Sequence, residues 1–184
     1  MKLDLGGEFD VAASVEESYA FLTDPNRFAP LLPMFKELLN VTHDRFRVVL
    51  DIGMPQVRGR AEADVLFVDR QQGTLAIFKS TVRHALGMGD ADIQFALTPE
   101  GSGTRVTWHC STMVRGTLAS LASGILAPLA RKNVDAMIRS VQQELGDPNS
   151  ILGERPPLAV AAKMGLWRRL LLWLQGGKRA GGGA

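Results

Sequence analysis

The sequence predicts an α+β fold in which a curved antiparallel sheet wraps around a long C-terminal helix and encloses an apolar cavity, with an amphipathic helix appended. Three observations predict it. Six strand-like runs separated by turn residues occupy residues 35–114, a long helical stretch follows them, and the inward positions of the strands hold many small residues. A run of strands followed by a helix cannot form alternating parallel units, so the sheet must be antiparallel and must bury one face against the helix.

Taken in order, residues 2–12 read as a first strand. Ser14 and Glu17 form an S-x-x-E capping box that opens a short helix through Leu22, and Asp24-Pro25 stops it. A second helical piece is expected over Asn26 to Leu32, ending at Pro33. Strands are then expected at Phe35 to Val41, Arg45 to Gly53, Val57 to Asp69, Thr74 to Ala85, Ala91 to Leu97 and Arg105 to Val114. Met54-Pro55, Gln71-Gln72-Gly73, Gly87-Met88-Gly89 and the 99–103 segment PEGSG separate them as turns. One long helix, Thr117 to about Leu145, closes at Gly146-Asp147-Pro148. Because Pro128 cannot donate a backbone hydrogen bond, a bend is expected near Ile125 to Leu129.

Alternation assigns Phe46, Val48, Leu50, Ile52, Val57, Gly59, Ala61, Ala63, Val65 and Phe67 to the inner face. Ala76, Phe78, Ser80, Val82, Ala91, Ile93, Phe95, Leu97, Val106, Trp108, Cys110 and Thr112 join them. Close packing would normally fill the space beside Gly59, Ala61, Ala63, Ala76, Ser80, Ala91 and Cys110. Either the helix approaches more closely there, or an apolar space remains that suits a hydrophobic ligand. The residues expected to line it are Ala61, Ala63, Phe78, Ser80, Val82, His84, Phe95, Trp108 and Cys110 from the strands. The first half of the helix adds Leu118, Leu121, Ala122 and Ile125, while Met137, Ile138, Val141 and Leu145 are expected to pack as core.

Beyond Arg155-Pro156-Pro157, residues 158–175 read LAVAAKMGLWRRLLLWLQ. On a helix, Val160, Met164, Trp167, Leu170, Leu171 and Leu174 share one side and Arg168, Arg169 and Gln175 the other. Residues 158–174 would rise about 26 Å, short of a hydrocarbon core of roughly 30 Å, and they include three charges. The pattern suits a helix lying on a membrane surface, with Trp167 and Trp173 at headgroup level and the stem of Lys163 snorkelling. The membrane-facing set is Lys163, Met164, Trp167, Arg168, Arg169, Leu170, Leu171, Trp173 and Leu174. Docking on a partner protein, or on its own domain, is the alternative for such a face.

Charge supports the membrane. Arg155, Lys163, Arg168, Arg169, Lys178 and Arg179 give residues 155–184 a charge of +6 with no acid, against a net +2 for the chain, so residues 1–154 carry −4. The expected organisation is a ligand-binding domain over 1–146, a Pro-containing linker over 147–157, the amphipathic helix over 158–175 and a Gly-rich basic tail over 176–184. The first 17 residues lack the apolar run of a secretory signal, so a cytoplasmic protein attached peripherally to the inner face of the cell membrane is expected.

Signals for catalysis are weak. His43, His84 and His109 have neither metal-ligand nor triad spacing. His84 would follow Ser80 and Val82 inward near a strand end and could bond a ligand carbonyl, or simply be a satisfied or exposed strand-end histidine. His109 falls on the outer face. Cys110 is the only cysteine, which excludes an internal disulfide, and no neighbouring cation in the sequence activates its thiol. No catalytic residue, metal site or nucleic-acid partner is expected.

Five stretches carry a family resemblance: Gly7-Glu8-Phe9-Asp10-Val11, Phe21-Leu22-Thr23-Asp24-Pro25, Val57-Arg58-Gly59-Arg60, the 101–108 segment GSGTRVTW and the 114–121 segment VRGTLASL. With them the chain resembles the helix-grip superfamily of START domains, aromatic polyketide cyclases and the major birch pollen allergen. Within it the chain is most similar to the CoxG-type accessory proteins of aerobic carbon monoxide dehydrogenase and related molybdenum hydroxylases. It departs from their pattern at Leu31-Leu32-Pro33-Met34-Phe35, where a Cys/Val-Pro-Gly element is usual. The resemblance implies a START/Bet v 1-like fold and a bound isoprenoid quinone, menaquinone or ubiquinone, carried between membrane and enzyme without a covalent cofactor. It also implies a carbon monoxide dehydrogenase-like molybdenum hydroxylase as partner. A cyclase-like enzyme, and a recruitment or assembly factor with a vestigial cavity, are the rival readings.

Overall fold

The computed structural model describes residues 1–54, 57–121, 124 and 126–147. They build a seven-stranded antiparallel sheet with strand order β1-β7-β6-β5-β4-β3-β2. The strands are β1 Lys2–Val11, β2 Phe35–Leu39, β3 Arg45–Gly53, β4 Arg58–Gln71, β5 Leu75–His84, β6 Gly87–Glu100 and β7 Gly103–Gly116. Strands β2 to β7 form a meander, and β1 returns to pair with β7 along its full length. A register shift between Phe67 and Asp69 leaves Val68 unpaired, the kind of bulge that bends a long strand.

The helices sit where the caps and prolines place them. Helix α1 (Val15–Leu22) carries the full capping box: the Glu17 N–H donates to Ser14 Oγ at 3.2 Å, and the Ser14 N–H donates to Glu17 Oε2 at 3.1 Å. The second helical piece divides into α2 (Pro25–Phe28), capped by Asp24, and a 3₁₀ turn Ala29–Leu31. Strand β2 stops at Leu39 rather than Val41, because Asn40 adopts a left-handed conformation (φ 52°) that ends the extended run. Met34 is also left-handed, at φ 63°. That conformation favours glycine, yet here a methionine adopts it.

One expectation is corrected. The β5–β6 turn is Ala85-Leu86, and Gly87 and Gly89 belong to β6. A Cβ at Gly87 would lie 2.1 Å from the Arg115 carbonyl oxygen, so this glycine permits close approach to the end of β7 rather than making the turn. The C-terminal helical stretch is described over α3 (Thr117–Leu121) and α4 (Ala127–Leu145), with Gly124 and Leu126 between them also helical. The bend expected at 125–129 falls partly on Ile125, which is outside the described residues.

The core joins the sheet's inner face to α1 and the end of α4. Val11, Phe21, Leu22, Val48, Phe78, Leu97, Val106, Val141 and Leu145 are all buried in one cluster. The end of α4 is fixed to the β1–α1 junction: the Ala12 and Ala13 N–H groups donate to the Gly146 and Leu145 carbonyls at 2.8 and 2.9 Å. Gln142 Nε2 donates to the Asp10 carbonyl, and Thr104 Oγ1 donates to the Ala13 carbonyl at 2.8 Å. The outer face carries ion pairs instead, among them Arg47 and Arg83 on Asp64 and Arg105 on Asp10. Among the described residues no helix is long and apolar enough to cross a membrane. The linker beyond Asp147, the amphipathic helix with its membrane-facing set, and the basic tail lie outside the described residues.

Candidate ligand-binding site

A cavity of about 270 Å³ lies between the inner face of the sheet and the helices. Its floor comes from β3 (Phe46, Val48, Leu50), β4 (Ala63, Val65, Phe67), β5 (Phe78, Ser80), β6 (Ile93, Phe95) and β7 (Trp108, Cys110). Its roof is Leu22, Pro25, Phe28 and Leu32 from the α1–β2 segment, with Val134 and Met137 from α4. The helix therefore does not use up the volume left by the small inner residues. Ala63, Ser80 and Cys110 open that space, whereas Ala61 and Ala76 are buried away from it.

Five phenylalanines cross the cavity in contact. Phe46 meets Phe67 at 5.9 Å between ring centroids, Phe67 meets Phe78 at 4.6 Å, Phe78 meets Phe95 at 5.7 Å, and Phe95 meets Phe28 edge-on at 6.1 Å. Tilted and T-shaped pairs at such distances are the favoured aromatic geometries. The series continues on β7, where Trp108 pairs with Phe95 on one side and Gly7 on the other. A Cβ at Gly7 would stand 3.3 Å from Trp108 Nε1, so glycine there lets the indole lie across β1.

Of the residues expected to line the space, Ala63, Phe78, Ser80, Phe95, Trp108 and Cys110 border it. Ala61, Val82, His84, Leu118 and Leu121 do not, and Ala122 and Ile125 lie outside the described residues. The helical contribution comes from Val134 and Met137 instead. With Leu145 fixed against Ala13, they stand about 16 and 12 Å back along α4, over the middle of the sheet. Helix α3 begins directly after β7 and packs at the far end of β6 and β7.

His84 is engaged elsewhere. The Leu86 N–H donates to its Nδ1 at 3.1 Å, which places the ring proton on Nε2, 3.2 Å from the Arg58 carbonyl it donates to. Both nitrogens thus hold backbone, joining β4 to the β5–β6 turn. His43 contacts Asp44 and Arg70 on the exposed surface, and His109 is exposed. Burial raises the pKa of the Cys110 thiol, whose Sγ lies 3.4 Å from Thr112 Oγ1; it behaves as a small neutral wall residue. Among the described residues no lining side chain is a carboxylate, lysine, arginine, histidine or tyrosine.

Phe28, Leu22, Pro25 and Leu32 were not expected at the site. Their signal was available in the apolar residues flanking two prolines, but helices this short show no readable periodicity.

A family profile for CoxG of carbon monoxide dehydrogenase matches residues 7–146. The chain belongs to the carbon monoxide dehydrogenase CoxG family. Its fold is shared by a conserved protein from Geobacillus kaustophilus, 23% identical with a TM-score of 0.71, over 78% of this chain and 95% of that one. A START superfamily protein from Mycobacterium smegmatis aligns over 77% of this chain and 96% of its own at 12% identity and TM-score 0.60. The di-domain ARO/CYC StfQ from the steffimycin biosynthetic pathway aligns over 77% of this chain and 49% of its own, at 15% identity and TM-score 0.58. No curated protein matches the sequence. This CoxG family chain therefore has the START/Bet v 1-like α+β fold.

Proposed function

We propose that this chain is a carrier that takes a neutral hydrophobic ligand, an isoprenoid quinone, from the cytoplasmic leaflet and presents it to a carbon monoxide dehydrogenase-type molybdenum hydroxylase, which reduces it. The observation that carries the reading is the apolar cavity crossed by the phenylalanine series. A planar ring finds aromatic edges and faces there, and the volume suits a ring with the start of its chain. General acid–base chemistry of the cyclase kind needs a titratable group at the substrate, and the described lining offers none in a charged or basic form. Family membership supports the choice of partner enzyme. The sequence pattern of residues 158–175 and the basic residues around it support attachment to anionic lipid. Exchange between two apolar surroundings leaves the ligand's hydrophobic free energy little changed, so loading and release are both accessible.

The test is mass spectrometry of the solvent extract of full-length protein purified from a quinone-producing host. A near-stoichiometric isoprenoid quinone is expected, and its loss from Ala63→Phe, which plugs the cavity. Lipid-free wild-type protein would overturn the reading. Deleting residues 157–184 should preserve quinone affinity while abolishing co-sedimentation with anionic vesicles.

A further inference from the structure

Three polar groups at or near the cavity differ in what they have to bond. The Cys110 thiol is taken by Thr112. Trp108 Nε1 has no partner but is enclosed by protein, held against Gly7 on β1. Ser80 is 7% exposed, lines the cavity, and its hydroxyl has no hydrogen-bond partner among the described residues. Unlike Trp108 Nε1, Ser80 Oγ is not fully enclosed, and Ser80 borders the cavity. Its cross-strand neighbours, Val65 and Ala91, can neither donate nor accept through their side chains.

An unmade hydrogen bond in an apolar interior is costly to the folded state; of the other buried serine and threonine hydroxyls, Thr104 is satisfied and Ser18 on α1 is not, but neither borders the cavity as Ser80 does. We propose that the Ser80 hydroxyl is the cavity's hydrogen-bond donor to its ligand and selects a neutral molecule bearing a carbonyl oxygen over hydrocarbons and fatty acids. A hydrocarbon leaves the hydroxyl unbonded. A carboxylate would enter a lining without a cation and remain unpaired there. The inference rests on the carrier reading and specifies what that carrier accepts.

The experiment titrates full-length wild-type and Ser80→Ala protein with decylubiquinone, decylbenzene and palmitate. Infrared spectra of ¹³C-carbonyl-labelled decylubiquinone are recorded alongside. Ser80→Ala should weaken decylubiquinone about 5- to 10-fold, the usual size for one neutral hydrogen bond. It should leave decylbenzene unchanged, abolish the carbonyl downshift seen with wild type, and not lower Tm. Palmitate should bind wild type at least about 10-fold more weakly than decylubiquinone, since an unpaired carboxylate is buried. Equal decylubiquinone affinity and an identical carbonyl band in both proteins would overturn the role of Ser80 while leaving the carrier standing. Palmitate binding as tightly as the quinone would overturn the selection. A wild-type protein that binds neither neutral probe would overturn the carrier and this inference together.

Discussion

At one end of the helical wall, the last two carbonyls of the α4 stretch accept the Ala12 and Ala13 N–H groups, and Val141 and Leu145 are buried. Gly146 adds a left-handed turn (φ 84°), where a Cβ would meet Ala12 at 2.9 Å. At the other end, α3 has no buried residue, and among the described residues its backbone meets the body through the Leu118 N–H, which donates to the Leu86 carbonyl at 3.1 Å. Local stability follows buried apolar contact and protected hydrogen bonds. The difference teaches that the helical wall is anchored from the α4 terminus, while α3, away from the cavity lining, is held by fewer buried contacts.

Leu145→Ala removes the largest anchor and should cost about 3 kcal/mol, a fall in Tm of roughly 6–12 °C by calorimetry. Destabilisation below 1 kcal/mol would break the contrast. Thr104→Val keeps the shape but deletes the buried bond to the Ala13 carbonyl, and about 1.5 kcal/mol should be lost in urea unfolding without a change in m. Acid sharpens the same end. The Arg105 guanidinium bonds Asp10 and holds its carboxyl below the usual carboxylate range. A depressed folded pKa contributes stability above the unfolded value near 3.8 and loses it as pH falls through the lower folded value. Asp10→Asn should therefore narrow the stability difference between pH 6 and pH 2.5. Leu118→Ala, on half-buried α3, should change stability by no more than about 0.5 kcal/mol yet speed amide exchange at Leu86 and Leu118.

Most of the sheet could be read from the sequence because its signals are local. The capping box at Ser14, the alternation from Arg45 to Gly53 and the glycines at 101 and 103 each act within a few residues. The wall of the site was less legible. Ala63, Phe78, Ser80, Phe95, Trp108 and Cys110 could be assigned by alternation, but which part of the long helix faced them depends on where the helix is pinned. That pin is a contact between residues 12–13 and 145–146, far apart in sequence. His84 fell with the inner face by period alone, and its binding to the Arg58 carbonyl and Leu86 N–H depends on the two-residue turn that brings Leu86 back to it. Phe28 completes the aromatic series from a four-residue helix that carries no periodic signal.

Trp108 has a consequence for how this protein can be observed. It is the one tryptophan of residues 1–146, the others being Trp167 and Trp173. An indole with an unbonded N–H in an apolar wall emits at short wavelength, and a quinone placed beside it would quench that emission. With both tail tryptophans changed to phenylalanine, the intrinsic fluorescence of the chain would report, with no label attached, on what lies against the cavity wall at Trp108.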